Sequence, residues 1–429
     1  MQTASKKVIN GWAMYDWANS VYNLVITTTF FPIFFTKATE AYFHSKQIPL
    51  FGRTFNNSAL YDYSMAAAFL LAALASPILS SIADTRGNKK RYLMMFTWLG
   101  SISCSALYFF NGANVEYGVI CFILATLGYC GGLVFYNSYL PEIAAVEDRD
   151  RISAKGFALG YIGSVLLQLI GFALVALKPF GITEGQAIVL TFLLVGIWWI
   201  SFAQITFRRL PVSTPTVENH KGNAFKEGFI ELRKVYAQVK GMPVLKMFLR
   251  GFFFYSMGVQ TVMMAATIFG SNELQLPSDK LIIVVVIIQL VGVVGAWGIA
   301  KLSDRFGNLP VLLGVVFLWI AICIDGYYIQ TENDFYLLAV GVGLVMGGVQ
   351  SLSRSTYAKL MPETKDTASF FSYYDVTEKV SIVIGMTTFG FIHELTGSMR
   401  NSVLALVIFF VVGLICLLAA LRKQKSLAL

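Results

Sequence analysis

The chain has 429 residues, of which 56% are hydrophobic and 13% charged, with a formal net charge of +9. Soluble domains carry about 25% charged residues, so this composition excludes a cytosolic enzyme and a secreted disulfide scaffold. The charges separate apolar runs of roughly 19–25 residues, the length of a bilayer-spanning helix, and the runs do not alternate as transmembrane β-strands do. The sequence therefore predicts an all-α integral membrane protein.

Twelve spans are predicted. In chain order they are residues 12–36, 61–83, 92–110, 117–140, 155–177, 186–206, 245–269, 281–302, 309–329, 335–357, 370–393 and 401–421. With a cytoplasmic N-terminus, all but six of the 33 lysines and arginines lie at the inner face. This distribution follows the positive-inside rule with both termini in the cytoplasm. The net charge therefore reflects topology, and no nucleic-acid partner is expected.

The first span carries a polar stripe. Asp16, Ser20, Asn23 and Thr27 follow one another at helical spacing and lie on one helix face. A charge at the centre of a span costs about 2.5–3.5 kcal/mol, so such residues normally face a cavity or a partner. The stripe predicts a solute cavity headed by Asp16. The alternative is a structural aspartate that caps a helix break or pairs with a basic residue.

The chain also contains an internal repeat. Asp84-Thr85-Arg86-Gly87-Asn88 after the second span recurs as Asp304-Arg305-Phe306-Gly307-Asn308 after the eighth. The fourth and tenth spans each carry a glycine pair followed by Pro-Glu. Duplicated six-helix halves are typical of secondary transporters. The predicted division is a first bundle over 1–207, a cytoplasmic linker over 208–243 and a second bundle over 244–429.

The linker begins with Pro211 and Pro215 and then shows apolar residues at intervals of four, three, four and three. These residues are Phe225, Phe229, Leu232, Tyr236 and Val239. Such spacing predicts an amphipathic helix, and basic residues surround it. It is either a helix lying on the inner leaflet or an ordinary solvated linker helix.

The eleventh span contains Asp375, Glu378 and Lys379. Asp375 and Lys379 stand four residues apart and are expected to pair on one helix face. Glu378 then needs another partner, and Arg354 in the tenth span is one candidate. These groups predict either proton coupling, together with Asp16, or a salt-bridge gate between helices without proton stoichiometry.

Other polar residues in the spans complete a predicted pocket. The substrate-binding candidates are Tyr15, Asp16, Asn19, Ser20, Asn23, Tyr136, Asn137, Tyr255, Gln260, Gln350 and Tyr374. Amide and phenol groups beside carboxylates suit a small polar or zwitterionic organic solute with an apolar part. No cysteine and histidine cluster has metal-ligand spacing, so neither a metal nor a cofactor is expected.

The motif Asp84-x-x-Gly87 followed by Lys89, and its second copy Asp304-Arg305-x-Gly307, resemble the loop motif of the major facilitator superfamily. The usual leading glycine is replaced by Ser80 and Ala300, and the second copy lacks the two basic residues. Within that superfamily, GWAMYDWANS at 11–20, GFALGYIG at 156–163 and FFYSMGVQT at 253–261 resemble the vacuole-effluxer-like branch. That branch comprises the autophagy-related vacuolar permease of fungi and bacterial relatives termed unknown major facilitators.

The resemblance covers essentially the whole chain and implies twelve transmembrane helices in two pseudo-symmetric six-helix bundles. It also implies that the loop motifs act as gates and that Asp84 latches the inner gate in the outward-open state, near the helix of Asp375 or the loop of Arg149 and Arg151. The gate-loop residues are then Asp84, Arg86, Gly87, Lys89, Asp304, Arg305 and Gly307. Fungal members export amino acids from the vacuole.

The predicted function is a secondary active transporter of amino-acid-like solutes that works by alternating access, with proton coupling through Asp16 as a hypothesis. An efflux pump for larger amphipathic compounds is the alternative, and a sensor or a membrane enzyme is disfavoured because no nucleophile, histidine and acid set is visible. The expected partners are a small-molecule substrate, the lipid bilayer and protons. A monomer in the bacterial inner membrane, rather than in a vacuolar membrane, is expected.

Overall fold

The computed structural model describes residues 2–212 and 224–428, and these residues are almost entirely helical. The elements of the first half are α1 Lys6–Val21, α2 Phe31–Phe43, β1 Gln47–Leu50, β2 Arg53–Asn56, α3 Asn57–Arg86, α4 Lys89–Ala106, α5 Val115–Ser138, α6 Leu140–Ile143, α7 Arg149–Leu177 and α8 Glu184–Arg209. Strands β1 and β2 form an antiparallel hairpin between the first two long helical stretches. Pro215 of the predicted linker lies outside the described residues.

The second half consists of helices. They are α9 Ala224–Gly241, α10 Pro243–Glu273, α11 Ser278–Phe306, α12 Asn308–Tyr328, α13 Glu332–Leu360, α14 Thr367–Thr396 and α15 Met399–Ala428. Local signals in the sequence explain several helix ends. Thr331 and Asp334 form a reciprocal capping box at the start of α13. Gly87, with φ +64°, ends α3 in the left-handed region, which accounts for the glycine of the loop motif.

Within the described residues, ten helices are long and apolar enough to span a membrane by length and composition. The two other predicted spans are helical as well. The first is continuous from α1 through a π-helical segment, Tyr22–Phe30, into α2. The eleventh is α14, which has 30 residues but carries the charges of Asp375, Glu378 and Lys379. The arrangement is consistent with twelve spans, and large apolar side chains such as Leu74, Phe317 and Ile408 are exposed on its outer surface.

The helices pack as two bundles related by the internal repeat. In the first, α1 packs against α7 and α8, and α4 packs against α5 and α8. In the second, α10 packs against α14 and α15, and α11 packs against α13. Between the bundles, α3 packs against α14, and its repeat counterpart α11 packs against α7. Functional groups on these four helices therefore meet across the boundary between the bundles.

The π-helical segment changes the predicted polar stripe. Its turns are wider than α-helical turns, as the backbone bond from the Phe31 N–H to the Ile26 carbonyl five residues earlier shows. Asp16, Ser20 and Asn23 face the central cavity as expected, but Thr28 borders it in place of Thr27. The α-helical extrapolation to Thr27 was wrong because one extra residue per turn shifts the register.

Candidate functional site

A cavity lies between the two bundles, with about 1220 Å³ of empty space, part of it open to solvent. Eight of the eleven predicted substrate-binding residues border it. They are Asp16, Ser20, Asn23, Asn137, Tyr255, Gln260, Gln350 and Tyr374. Both bundles contribute, so a solute in this cavity would contact both. The lining also includes residues that the sequence did not predict as substrate-binding, among them Tyr161 and Ser353.

Three predicted residues do not border the cavity. Tyr15 is fully buried on the other side of α1, where its hydroxyl shares a hydrogen bond with Thr97 Oγ1 (2.9 Å). Asn19 is fully buried, and its side-chain amide has no hydrogen-bond partner within the described part of the chain. Tyr136 lies behind Asp16 and donates its hydroxyl to Asp16 Oδ2 (2.8 Å). All three lie on helices that border the cavity, but their side chains do not line it.

Asp16 forms a buried ion pair with Arg354 across the bundle boundary. The Arg354 Nη1 and Nη2 atoms lie 3.1 and 3.2 Å from Asp16 Oδ2. Both residues are at most 4% exposed. The suggestion that Arg354 pairs with Glu378 is therefore wrong. Asp16 on α1 and Arg354 on α13 are 338 residues apart in sequence, which no local spacing rule relates.

The Arg354 guanidinium is held almost entirely by the first bundle. Its Nε donates to Ser153 Oγ (3.0 Å), and Nη2 donates to the Ser153 carbonyl (2.9 Å). Its Nη1 also reaches Asn137 Oδ1 (3.2 Å). The rings of Trp12 and Phe157 lie 4.8 and 4.2 Å from its central carbon. These contacts satisfy a buried cation with charge, hydrogen bonds and aromatic faces together.

The glycines of the GFALGYIG segment make room for this pair. A Cβ at Gly156 would overlap Asp16 Oδ2 and would lie 2.9 Å from Arg354 Nη2. A Cβ at Gly160 would lie 2.5 Å from Ser20 Oγ. Helix α7 therefore approaches α1 so closely that side chains are excluded at these two positions. The segment that carried the family resemblance thus has a packing reason.

We expect Gly156→Ala to reduce transport strongly and to lower the thermal midpoint of the purified protein. The added methyl group must displace the Asp16 carboxylate or the Arg354 guanidinium, and overpacking of this kind costs about 1–3 kcal/mol. Flux into proteoliposomes and thermal unfolding measure the two effects. Gly298→Ala on α11 is the matched control, because a Cβ there meets nothing within 4 Å. Equal behaviour of the two variants would contradict the close approach of α7 to α1.

A second charge cluster lies on α14. Lys379 Nζ is 3.3 Å from Asp375 Oδ1, which confirms the predicted pair at i and i+4, and 3.2 Å from Glu378 Oε2. Glu378 also accepts a hydrogen bond from Gln260 Nε2 (3.1 Å), and Ser76 of the first bundle donates to Asp375 Oδ2 (3.4 Å). Two carboxylates share one ammonium group. With all three ionised, the cluster carries one excess negative charge.

The two bundles are joined at one end of the molecule. We call this end the motif end and define it by Asp84, Arg149 and Lys359. Asp84 accepts hydrogen bonds from the backbone N–H groups of Ala368 (3.2 Å) and Ser369 (2.7 Å), and from Ser369 Oγ (2.8 Å). These donors lie in the first turn of α14, where the helix dipole favours an anion. Asp84 therefore lies at the N-terminus of the helix that carries Asp375, the first of the two positions that the resemblance implied.

The other residues of the first loop motif surround this contact. Lys89 is buried, pairs with Glu142, lies 3.7 Å from Asp84 Oδ1 and donates to Thr367 Oγ1 (2.7 Å). Arg86 is exposed, and Gly87 forms the turn. Glu142, from the repeated Pro-Glu motif, was not among the predicted gate residues. The sequence signal that could have identified Glu142 is the Pro-Glu pair, which follows both the fourth and the tenth spans.

The second loop motif does not make the equivalent contact. Asp304 and Arg305 are exposed, so the expectation that they act as gate residues is not supported by their position. Gly307, with φ +84°, still forms the turn. The acid at this junction is Asp150 in the first turn of α7. Asp150 accepts from Ser303 Oγ (2.9 Å), Asn308 Nδ2 (2.8 Å) and Lys359 Nζ (2.5 Å).

Each loop motif thus meets the start of a helix of the other bundle, and we call these two contacts the first and second junctions. The repeat relates them, but the side that supplies the acid is exchanged. Asp150 is the second residue of α7, and Ala368, whose N–H binds Asp84, is the second residue of α14. In one junction the acid comes from the loop motif, and in the other it comes from the facing helix. The duplicated motif predicted Asp304 at this contact and gave no indication of Asp150. The signal present in the sequence was an acid shortly before the predicted fifth span, at the start of α7.

Further contacts close the motif end. Arg149 Nη1 donates to the Ala358 carbonyl (2.6 Å), and Ser153 Oγ donates to the Ser351 carbonyl (2.7 Å). At the opposite end, a groove separates the bundles, with Thr27 and Tyr61 on one side and Leu281 on the other. Thr28 and Met264 border both this groove and the central cavity. The cavity is therefore closed at the motif end and adjoins the groove at the opposite end.

The comparisons with known proteins agree with this architecture. The family model described as "Vacuole effluxer Atg22 like" matches residues 4–427. The chain is 29% identical over 421 residues to the "uncharacterized MFS-type transporter YxiO" of Bacillus subtilis (strain 168), covering 97% of this chain and 95% of that protein. It is 25% identical over 482 residues to autophagy-related protein 22 of Eremothecium gossypii, covering 99% and 92%.

Among solved structures, the human organic anion transporter MFSD10 (TETRAN) superposes with a TM-score of 0.76 at 11% sequence identity. The superposition covers 96% of this chain and 99% of that one. At this identity the likeness establishes the fold alone, and the fold is that of major facilitator transporters.

Proposed function

The chain belongs to the vacuole effluxer Atg22-like family of major facilitator transporters, and we propose that it moves a small polar or zwitterionic organic solute of amino-acid type by alternating access. The observation that carries this proposal is the cavity between the bundles. Its polar lining includes Glu378, Lys379 and Gln260 from the second bundle and Ser20 and Asn23 from the first. A solute bound by both bundles can couple their relative motion to its own movement.

The charge of the lining favours a solute with an ammonium group. The Asp16–Arg354 pair is neutral as a unit, whereas Asp375 and Glu378 share Lys379 and leave one negative charge in excess. The Glu378 side chain is 21% exposed, so it is accessible from the cavity. An ammonium group beside Glu378 compensates this charge. The hydroxyl and amide groups of Ser20 and Asn23 are suited to a carboxylate across the cavity.

We place the motif end in the cytoplasm, with both termini, because all but six of the lysines and arginines then lie inside. The structure then corresponds to an outward-facing state of a bacterial inner-membrane transporter. The first bundle over 1–207 and the second over 244–429 rock about the cavity, and 208–243 connects them. Residues 213–223 of that connection lie outside the described residues.

Proton coupling is proposed through Asp16. Its partner Arg354 belongs to the other bundle, so opening of the motif end separates the two charges. A carboxylate freed in this way needs a new counter-charge, which a proton supplies. The acid cluster on α14 keeps Lys379 on the same helix and does not lose it when the bundles separate.

The solute class is tested by flux of radiolabelled neutral amino acids into proteoliposomes with unlabelled competitors. We expect free amino acids to compete and N-acetyl amino acids to compete at least tenfold more weakly, since an acetylated nitrogen is uncharged and cannot donate the charged hydrogen bond to Glu378, which is worth about 1.5–3 kcal/mol. Glu378→Gln should remove this discrimination. Asp325→Asn, an exposed carboxylate on α12, is the matched control. Equal competition by both compound classes in the unaltered protein would refute ammonium recognition.

Export of larger amphipathic compounds is the second candidate. The groove at the opposite end is lined largely by apolar groups such as Phe30, Ile33 and Val285, and its empty space is about 1470 Å³. Such a lining suits a large apolar body better than the more polar lining of the central cavity does. Flux of a radiolabelled lipophilic cation into the same proteoliposomes, together with no flux of labelled amino acids, would favour this second candidate.

A further inference from the structure

Helix α9 lies across the boundary between the bundles at the motif end. It packs against α3 of the first bundle and α14 of the second. The Tyr373 hydroxyl donates to the Leu232 carbonyl (3.0 Å), and Lys234 Nζ lies 3.6 Å from Asp366 Oδ2. The ring of Tyr236 stacks on that of Tyr373, with centroids 6.3 Å apart. The helix is therefore attached to the first two turns of α14, beside the Asp84 contact.

The two faces of α9 differ in chemistry. Val235 and Val239 are buried against the bundle. The rest of the helix surface exposes three large side chains, since Phe229 is 63% exposed, Ile230 60% and Tyr236 58%, with Tyr236 at the edge of this face where its ring also stacks on Tyr373. The same face exposes three cations spaced seven residues apart. These are Lys226, Arg233 and Lys240.

We propose that this exposed face of α9 docks on the surface of an anionic bilayer, with the apolar side chains at the acyl boundary and the three cations at lipid phosphates. Seven residues are close to two turns, so the cations form one stripe with Phe229 and Tyr236 beside it. Interleaved aromatic and basic side chains are typical of interfacial helices. Of the two alternatives for the linker, a helix lying on the inner leaflet and a solvated linker helix, this arrangement favours the first.

The position of the helix supports the bilayer rather than water as its surroundings. Gly241 ends α9 two residues before α10 begins at Pro243, so the helix is tied to the membrane boundary at its C-terminus. A solvated helix gains nothing from exposing three large apolar side chains. Anionic headgroups also complement the exposed cations, because basic residues near such a surface are attracted to it.

The test uses the full-length protein in nanodiscs and measures hydrogen–deuterium exchange of the backbone amides of residues 224–241. We expect exchange to be about tenfold slower with 30% phosphatidylglycerol than with phosphatidylcholine alone, and the difference to disappear at about 1 M salt. The triple variant Lys226→Gln, Arg233→Gln, Lys240→Gln should exchange at the phosphatidylcholine rate in both lipids.

The control removes three cations from the same end of the bundle, with Arg422→Gln, Lys423→Gln and Lys425→Gln at the exposed end of α15. In this control variant, amide exchange in residues 224–241 should still be slower with phosphatidylglycerol, to the same extent as in the unaltered protein. Exchange in the unaltered protein that is independent of lipid charge and salt would overturn the proposal. That result would assign the face to solvent or to a protein partner.

Discussion

We expect Arg354→Gln to abolish transport and to destabilise the folded protein by about 3–5 kcal/mol, the range measured when one partner of a buried ion pair is removed. The substitution leaves Asp16 buried with the Tyr136 hydroxyl and without its cation. It also removes the donors to Ser153 and Asn137. Thermal unfolding of the purified protein and solute flux in proteoliposomes measure the two effects.

The paired variants separate charge from packing. Asp16→Asn with Arg354→Gln removes both charges, so it should unfold at a higher temperature than Arg354→Gln alone. We expect Asp16→Asn alone to retain solute exchange between labelled and unlabelled pools but to lose accumulation driven by a pH gradient. Full pH-driven accumulation by Asp16→Asn would refute coupling through this residue, though not transport itself. Equal stability of the single and double variants would contradict a functional ion pair.

We expect Asp84→Asn to shift the protein toward a state open at the motif end. Asp84 accepts three hydrogen bonds from the first turn of α14, and a neutral amide cannot accept them as strongly. Loss of about 2 kcal/mol corresponds to a roughly thirtyfold change in the ratio of the two states. Spin labels at Arg91→Cys and Lys365→Cys, exposed positions in the two halves, report the change as a larger population of long distances.

The second junction provides control variants for Asp84→Asn, because its acid is Asp150 on the facing helix and not Asp304 of the loop motif. Asp304→Asn changes the repeat counterpart of Asp84 in sequence, but Asp304 is exposed, so the distance distribution should stay as in the unaltered protein. Asp150→Asn should favour the open state, because Asp150 binds Ser303, Asn308 and Lys359. If Asp304→Asn opened the motif end as Asp84→Asn does, the assignment of the second junction to Asp150 would be wrong.

The fold and the family follow from the sequence because they depend on patterns repeated along the chain. Apolar runs, turn glycines and duplicated motifs each indicate the same two-bundle architecture, and it is confirmed. The Asp375–Lys379 pair was also predictable, since its spacing is local. Likewise, the resemblance implied that Asp84 lies near either the helix of Asp375 or the loop of Arg149 and Arg151, and its hydrogen bonds go to the former.

The rest of the site depends on contacts that sequence spacing does not encode. The partner of Arg354 lies on a helix 338 residues away, and several cations and anions offered plausible alternatives. The π-helical turns after Val21 shift the stripe by one residue, and no residue type in Tyr22–Phe30 specifies such turns. Asp150 replaces Asp304 because the two junctions use opposite partners, a choice that the duplicated motif conceals.

The manner in which Arg354 is held also bears on how the protein is made. Its hydrogen-bond partners Asp16, Asn137 and Ser153 are all synthesised before it. In the part of the chain that the structure describes, the ion pair and hydrogen bonds of the Arg354 guanidinium go to the first bundle, so the arginine of α13 gains its counter-charge when this helix docks there. We therefore expect the second half to insert stably only when the first half is already present, despite their duplicated origin.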